Sequence, residues 1–164
     1  ELDLVVGRLA AAEFMAGLTF DPLYSEEVGF AVRAGHPLLQ RRSFSLAEIA
    51  QYTVLMPIKG SVIRPFVDRF LLSNGIGELA NTIETVSDSF GRAFLQTQDA
   101  VWIISKGVVK REIEAGTMAF LDVDTSETRG AVGFTMRADV APTLPVSIMM
   151  TTIRARLAGS GRQF

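Results

Sequence analysis

The 164-residue sequence contains no cysteine and a single histidine, His36. Without cysteine there is no disulfide, no zinc–thiolate site and no thiolate nucleophile. With a single histidine and no cysteine, the sequence predicts neither a histidine-based metal centre nor a Ser–His–Asp triad. Pro37 follows His36, and we expect His36 to shape a turn at this position. The sequence therefore predicts neither an enzyme nor a protein with a cofactor or metal ion.

The chain also lacks a strong charge of either sign. Its formal net charge is -2 at pH 7, so it has no basic field and is not expected to bind DNA by itself. No apolar run approaches the roughly 20 residues of a membrane-spanning helix. The N-terminus has no basic-then-apolar leader pattern. These absences predict a cytoplasmic protein that does not associate with membranes.

The usual nucleotide-binding patterns, G-x-G-x-x-G and G-x-x-x-x-G-K-[ST], are missing as well. What the chain has in quantity is apolar residues, which make up 48% of it. That content excludes a disordered chain, and a chain of this length buries roughly 70% of its unfolded surface. The apolar excess fits either a well-filled core or an interface with another subunit.

Short apolar strands alternate with short helices along the sequence. This alternation predicts a mostly parallel sheet with helices on both faces. Pro65 falls in the first turn of one predicted helix, where no backbone N–H needs a partner. The predicted strands are 2–6, 18–23, 27–33, 53–56, 82–86, 101–105, 118–123 and 131–137, and the predicted helices are 45–50, 61–74, 87–96, 107–114 and 142–157.

The segment Pro57–Arg64, with sequence PIKGSVIR, is the strongest candidate binding site. A predicted strand ends there, Gly60 turns the chain, and a helix begins at a hydroxyl residue. Free backbone N–H groups and the helix dipole favour a carboxylate or phosphate at such a place. Lys59 and Arg64 add positive charge, and an arginine can bind a carboxylate through two hydrogen bonds. The alternative is that Ser61 only caps the helix.

Arg8 is the second candidate. It follows the predicted strand 2–6, and open α/β sheets bind ligands beyond the ends of their strands. The alternative is an ordinary surface arginine.

Two stretches, ELDLVVGR at 1–8 and EEVGFAVRAGHPLL at 26–39, resemble the effector-binding region of LysR-type transcriptional regulators. The resemblance covers essentially the whole chain. It implies an α/β, two-lobed, periplasmic-binding-protein-like fold in which strands 28–33 and 132–137 cross between the lobes. A partial first lobe would comprise 1–33 and 131–164, and the second lobe 34–130. The family's N-terminal winged helix-turn-helix and first strand–helix units are absent, so we expect an incomplete first lobe.

In this family a small-molecule effector lies in the cleft between the lobes. The resemblance places Ser61, Val62 and Ile63 where relatives contact the effector. Arg8 matches an arginine that lines the cleft in the subgroup that senses muconates, and Asp99 matches its acidic partner. The resemblance also implies a homo-oligomer, dimer or tetramer, and DNA binding only through the absent N-terminal domain. The sequence departs from the family's usual turn at Gln98–Ala100, where glycines are common.

Three further stretches, 85–93, 101–109 and 123–128, resemble family members that regulate protocatechuate catabolism, whose near relatives respond to sugars. The cationic side chains of the candidate site favour an anionic, carboxymuconate-like effector over a sugar. Two alternatives stay open, namely a sugar-responsive regulator and a solute-binding protein of the transport type. An α/β enzyme would need a nucleophile–base pair, which we do not find.

Overall fold

The structure is a computed structural model that describes residues 2–159. Its helices and strands follow the predicted alternation closely. The strands are β1 Val5–Arg8, β2 Leu18–Glu26, β3 Val28–Arg33, β4 Thr53–Met56, β5 Thr82–Glu84, β6 Ala100–Ser105, β7 Met118–Phe120 and β8 Gly130–Arg137. The α-helices are α1 Arg64–Ser73, α2 Asp88–Thr97, α3 Lys110–Glu114 and α4 Leu144–Gly159. No helix in this described part is long and apolar enough to cross a membrane.

The chain divides into two compact units. The first unit comprises 1–26 and 130–164, and the second comprises 27–129. Strand β3 therefore belongs to the second unit, whereas the predicted division at residue 33 assigned it to the first lobe.

The first unit contains a three-stranded antiparallel sheet in the order β1-β8-β2. The predicted strand at 2–6 begins later, at Val5, and it pairs with β8. Strand β2 carries an irregularity between Pro22 and Tyr24 that shifts its register against β8. In α4, Arg154 forms an ion pair with Asp21 and lies over the Phe134 ring, 5.3 Å from its centroid. These contacts attach α4 to the sheet.

The second unit contains a five-stranded sheet in the order β5-β4-β6-β3-β7. Strand β4 is parallel to β5 and β6, while β3 is antiparallel to β6 and β7. Four strands therefore run in one direction, and β3 lies among them in the opposite direction. The predicted mostly parallel sheet holds for these four strands. It is wrong for β3 and for the first unit, because apolar patterning encodes which face is buried and not the direction of the strand.

Two apolar clusters cover the two faces of this sheet. The first cluster packs Val67, Phe70 and Leu71 of α1 against strand residues such as Phe30. The second cluster contains Leu95 of α2 and the buried Trp102. Helix α2 lies so close to the sheet that a Cβ added at Gly91 would come within 2.6 Å of the Trp102 ring. The prediction of helices on both faces is confirmed in the second unit.

Candidate functional site

The loop between β4 and α1 has the backbone turn that the sequence predicted. Gly60 has a φ of +89°, in the left-handed region that glycine adopts without steric cost. The Ser61 N–H then donates to the Ile58 carbonyl at 3.1 Å, and Pro65 lies in the first turn of α1. The loop therefore lies directly beyond the carboxyl end of β4, where open α/β sheets bind ligands.

Ser61 does not cap the helix. The N-cap position is held by Ile63, and no side chain there accepts a hydrogen bond from the first turn. The Ser61 Oγ is buried and makes no hydrogen bond within the described part of the chain. A buried hydroxyl is normally hydrogen-bonded, and the capping alternative therefore does not explain this residue.

Arg64 is bound to internal acceptors. Its guanidinium donates to Asp68 Oδ1 at 2.7 Å, to Glu84 Oε1 at 2.6 Å and to the Pro57 carbonyl at 2.9 Å. Burial lowers the pKa of Arg64, but its hydrogen bonds to Glu84 and Asp68 outweigh that effect and raise the pKa overall. The same contact lowers the pKa of Glu84. Arg64, which the sequence predicted to bind the ligand, is thus neutralised by two carboxylates of the chain and holds the loop in place.

An amphipathic cleft of about 440 Å³ adjoins the loop. This volume falls in the range of small-molecule sites. Among residues 2–159, the Lys59 ammonium has no carboxylate within salt-bridge distance, although it lines this cleft. The lining residues are Met56, Lys59, Arg64, Asp68, Leu71, Leu72, Ile76, Gly77, Glu78, Leu79, Thr82 and Glu84. Lys59, rather than Arg64, is therefore the cation of this region that forms no ion pair among the described residues, although its charge helps to lower the pKa of Glu84.

The apolar members of the predicted site have different environments. Ile63 is half-buried and packs against the core cluster that contains α1. Val62 is exposed at 38% and faces solvent from the loop. Val62 could therefore contact a ligand directly, while Ile63 anchors the loop.

Arg8 and Asp99 lie in different units, and each is bound within its own. The Arg8 guanidinium donates to the Glu26 carbonyl in the first unit and lies against Gly130. Burial lowers the pKa of Arg8, and the charge of Glu26 opposes this effect. Asp99 pairs with Arg33 in the second unit at 2.7 Å. The pairing of Arg8 with Asp99 stays a prediction.

His36 shapes a turn, as predicted. It is fully buried, its Nδ1 accepts a hydrogen bond from the Leu38 N–H at 3.2 Å, and its ring lies 4.6 Å from that of Tyr52. Burial lowers the pKa of His36, so the folded protein holds it neutral.

The neutral state of His36 predicts a pH dependence of stability. The unfolded chain takes up a proton below its ordinary pKa of 6.5, whereas the folded chain resists it. The free energy of unfolding should therefore have its full value above pH 6.5 and should decrease as the pH is lowered below 6.5. The variant His36→Asn keeps a side-chain acceptor for the Leu38 N–H but does not titrate. Urea unfolding followed by Trp102 fluorescence should show a flat pH response in this variant between about pH 5 and 6.5.

A parallel loss of stability in wild type and His36→Asn over that range would contradict this assignment. The carboxylates with lowered pKa, such as Glu27 and Glu112, stabilise the fold above their ordinary pKa of 4.5 and lose that effect only at lower pH. They therefore do not account for a loss that begins near pH 6.5.

Several charged residues near the loop were not predicted from the sequence. Asp68 lies one helical turn after Arg64, a spacing that brings side chains together on a helix, and this signal was available. Glu84 joins the loop only because β5 pairs with β4 in parallel, with Glu84 opposite Met56. Elsewhere in the second unit, Glu27 binds both Lys106, at 2.7 Å, and Arg129, at 2.6 Å.

A family model described as the LysR substrate binding domain matches residues 1–158. The chain belongs to this family. It is a ligand-sensing regulatory domain and not an enzyme.

Comparison with curated LysR-type relatives gives matches along almost the whole chain. The chain is 55% identical over 154 residues to the HTH-type transcriptional regulator PcaQ of Agrobacterium fabrum, covering 94% of this chain and 50% of that protein. It is 29% identical over the same length to the uncharacterized regulator YdcI of Escherichia coli, with the same coverage. The chain thus spans about half the length of these relatives.

Solved LysR regulatory domains share the fold. The regulatory domain of Synechocystis CcmR in complex with 2-PG has a TM-score of 0.75 at 16% identity and covers 95% of this chain and 74% of that one. The effector-binding domain of QuiR with shikimate has a TM-score of 0.70 at 17% identity, covering 98% and 74%. The BenM domain with benzoate has a TM-score of 0.70 at 16% identity, covering 99% and 72%. The predicted α/β, two-lobed class of fold is confirmed.

Proposed function

We propose that this LysR regulatory domain senses a small anionic intermediate of aromatic catabolism, such as a carboxymuconate. The observation that carries the proposal is the 55% identity with PcaQ over 94% of the chain. It agrees with the sequence resemblance to regulators of protocatechuate catabolism. Two structural neighbours were solved with small acids, QuiR with shikimate and BenM with benzoate.

The loop between β4 and α1 would bind the effector's carboxylate. Among residues 2–159, Lys59 has a positive charge that forms no ion pair and Ser61 has a buried hydroxyl that forms no hydrogen bond. Gly60 gives a ligand close access to the backbone, because it has no side chain. Val62 and Ile63 complete the loop. Charge-assisted hydrogen bonds of this kind are about twice as strong as neutral ones.

In the complete regulator we propose that the two units act as the family's two lobes. Arg8 and Asp99 would then line the effector cleft from opposite lobes. The effector would favour one arrangement of the lobes and so shift a pre-existing equilibrium. The regulator would bind DNA through a winged helix-turn-helix that is not part of this chain and would work in the cytoplasm as a homo-oligomer.

A sugar-responsive regulator is the second candidate. The chain is 26% identical over 110 residues to the HTH-type transcriptional regulator GbpR of Azospirillum brasilense, covering 66% of this chain. A neutral sugar has no charge for Lys59 to neutralise, and for this reason the anionic effector is the first choice.

Thermal unfolding with carboxymuconate, muconate, protocatechuate and galactose tests the proposal. A ligand at about 100 times its Kd adds ~2.7 kcal/mol to the free energy of unfolding. For a chain of this size each kcal/mol raises the Tm by roughly 2–4 °C. We expect carboxymuconate to raise the Tm and galactose to leave it unchanged. A shift with galactose alone would favour the second candidate, and no shift with any of the acids would contradict the proposal.

A further inference from the structure

Glu84 holds a position that ligands occupy in other α/β proteins. It is the last residue of β5 and lies opposite Met56, the last residue of the parallel strand β4. Ligands of open α/β sheets bind just beyond such carboxyl ends. In this protein the position is filled by a carboxylate of the chain itself.

The contacts of Glu84 are those expected of a bound acid. Its Oε1 accepts a charge-assisted hydrogen bond from Arg64 Nη1 at 2.6 Å, and its Oε2 accepts a longer one from the Lys59 backbone N–H at 3.4 Å. One carboxylate thus bridges a guanidinium and a backbone amide of the loop to which the effector is assigned. Both donors are ones that an anionic ligand would use.

We propose that Glu84 is an internal competitor of the effector, and that an anionic ligand must displace Glu84 from Arg64 and from the Lys59 backbone N–H before it can bind to these donors. This inference rests on the proposed function of the loop. It implies that a protein carboxylate holds these two donors until a ligand binds, and that only a ligand with at least as much negative charge replaces it. A neutral sugar would leave Glu84 in place.

Displacement of Glu84 is physically feasible. The Glu84 side chain is 37% exposed, whereas that of Arg64 is 15% exposed. A carboxylate at the surface can turn into water and regain its hydration, and ion pairs of this exposed type contribute little to stability. Arg64 would keep its place after the exchange, because Asp68 and the Pro57 carbonyl still hold it.

Asp68 provides a matched comparison. It also accepts a hydrogen bond from Arg64, at 2.7 Å, but through Nε and from the next turn of the same helix. No hydrogen bond joins Asp68 to the loop backbone within the described residues. We therefore assign Asp68 the role of positioning Arg64, and Glu84 the role of competing with the ligand.

Isothermal titration calorimetry on the whole chain tests the inference with two probes, carboxymuconate and inorganic phosphate. Glu84→Gln removes the competing charge with almost no change of shape, and Asp68→Asn removes the same charge from the other side of Arg64. We expect Glu84→Gln to bind both probes roughly tenfold more tightly. Asp68→Asn should bind them with unchanged or weaker affinity. Glu84→Asp, which keeps the charge but is too short for both contacts, should also bind more tightly.

The possible results separate the inference from the proposed function. Equal gains in Glu84→Gln and Asp68→Asn would mean that net charge alone acts, and would overturn the inference. Weaker or unchanged binding in both Glu84 variants would overturn it too. If both Glu84 variants bound phosphate more tightly than wild type, while none of the proteins bound carboxymuconate, the inference would be supported. The proposal that carboxymuconate is the effector would then be contradicted. If neither probe bound any variant, the inference would be overturned.

Discussion

Replacement of Gly133 by alanine is expected to destabilise the first unit by about 3 kcal/mol or more. A Cβ at this position would lie 2.2 Å from the Asp21 carbonyl oxygen and 2.8 Å from the Phe20 ring. The nearer atom, the Asp21 carbonyl oxygen, belongs to the backbone and cannot move aside as easily as the end of a flexible side chain. Because β8 is the central strand of its sheet, a shift of β8 or β2 would disturb the pairing on both sides.

Gly7 supplies the control for this prediction. It is the residue opposite Gly133 in the ladder between β1 and β8, yet a Cβ there would meet only the Val5 side chain at 3.9 Å. Gly7→Ala should leave stability within about 0.5 kcal/mol of wild type. Urea unfolding by circular dichroism gives the free energies, and hydrogen exchange localises the effect to β2 and β8. Equal stabilities of the two variants would contradict the close packing of β2 on β8.

The charge reversal Lys59→Glu is expected to weaken carboxymuconate binding by about 100-fold. A hydrogen bond to a charged group contributes about 1.5–3 kcal/mol, and each ~1.4 kcal/mol is a factor of ten in affinity. The substitution removes the loop's only cation without an internal ion pair among the described residues and adds a carboxylate near Glu84. Titration calorimetry measures the loss, and an unchanged Tm without ligand shows that the fold is intact.

Arg69→Glu is the matched control for Lys59→Glu. Arg69 is exposed on α1 and does not line the cleft, so this variant has the same change in net charge at a different place. Its affinity should stay within about threefold of wild type, because Arg69 is exposed outside the cleft and exposed charges interact only weakly. Arg64→Glu is a poorer test, because a third carboxylate beside Asp68 and Glu84 would also destabilise the loop. Similar losses in the Lys59 and Arg69 variants would contradict the assignment.

Local features of the fold were predictable from the sequence. The proline in the first turn of α1, the turn at His36 and the alternation of strands with helices all follow from short-range patterns. The reversed direction of β3 does not, because its apolar residues look the same in either direction. Pairing across distant segments decides that direction.

The turn at the candidate site was predictable from the sequence, whereas the charges around it were not. Gly60 and the residues around it form the predicted turn, since a strand, a glycine and a helix in succession suffice to indicate it. The simpler alternative, that Ser61 only caps α1, is wrong, because α1 begins at Arg64, three residues after Ser61. The neutralisation of Arg64 by Glu84 depends on a contact between residues 20 positions apart, which no local pattern specifies.

The most direct test of the account is a titration of the ¹⁵N-labelled chain with carboxymuconate, followed by amide chemical shifts. The account predicts saturable shifts at Gly60, Ser61, Val62 and Ile63, together with a shift at Glu84 as its carboxylate leaves the Lys59 amide. Saturable binding that moves amides elsewhere, with the loop between β4 and α1 unchanged, would contradict the assignment of the effector site to this loop.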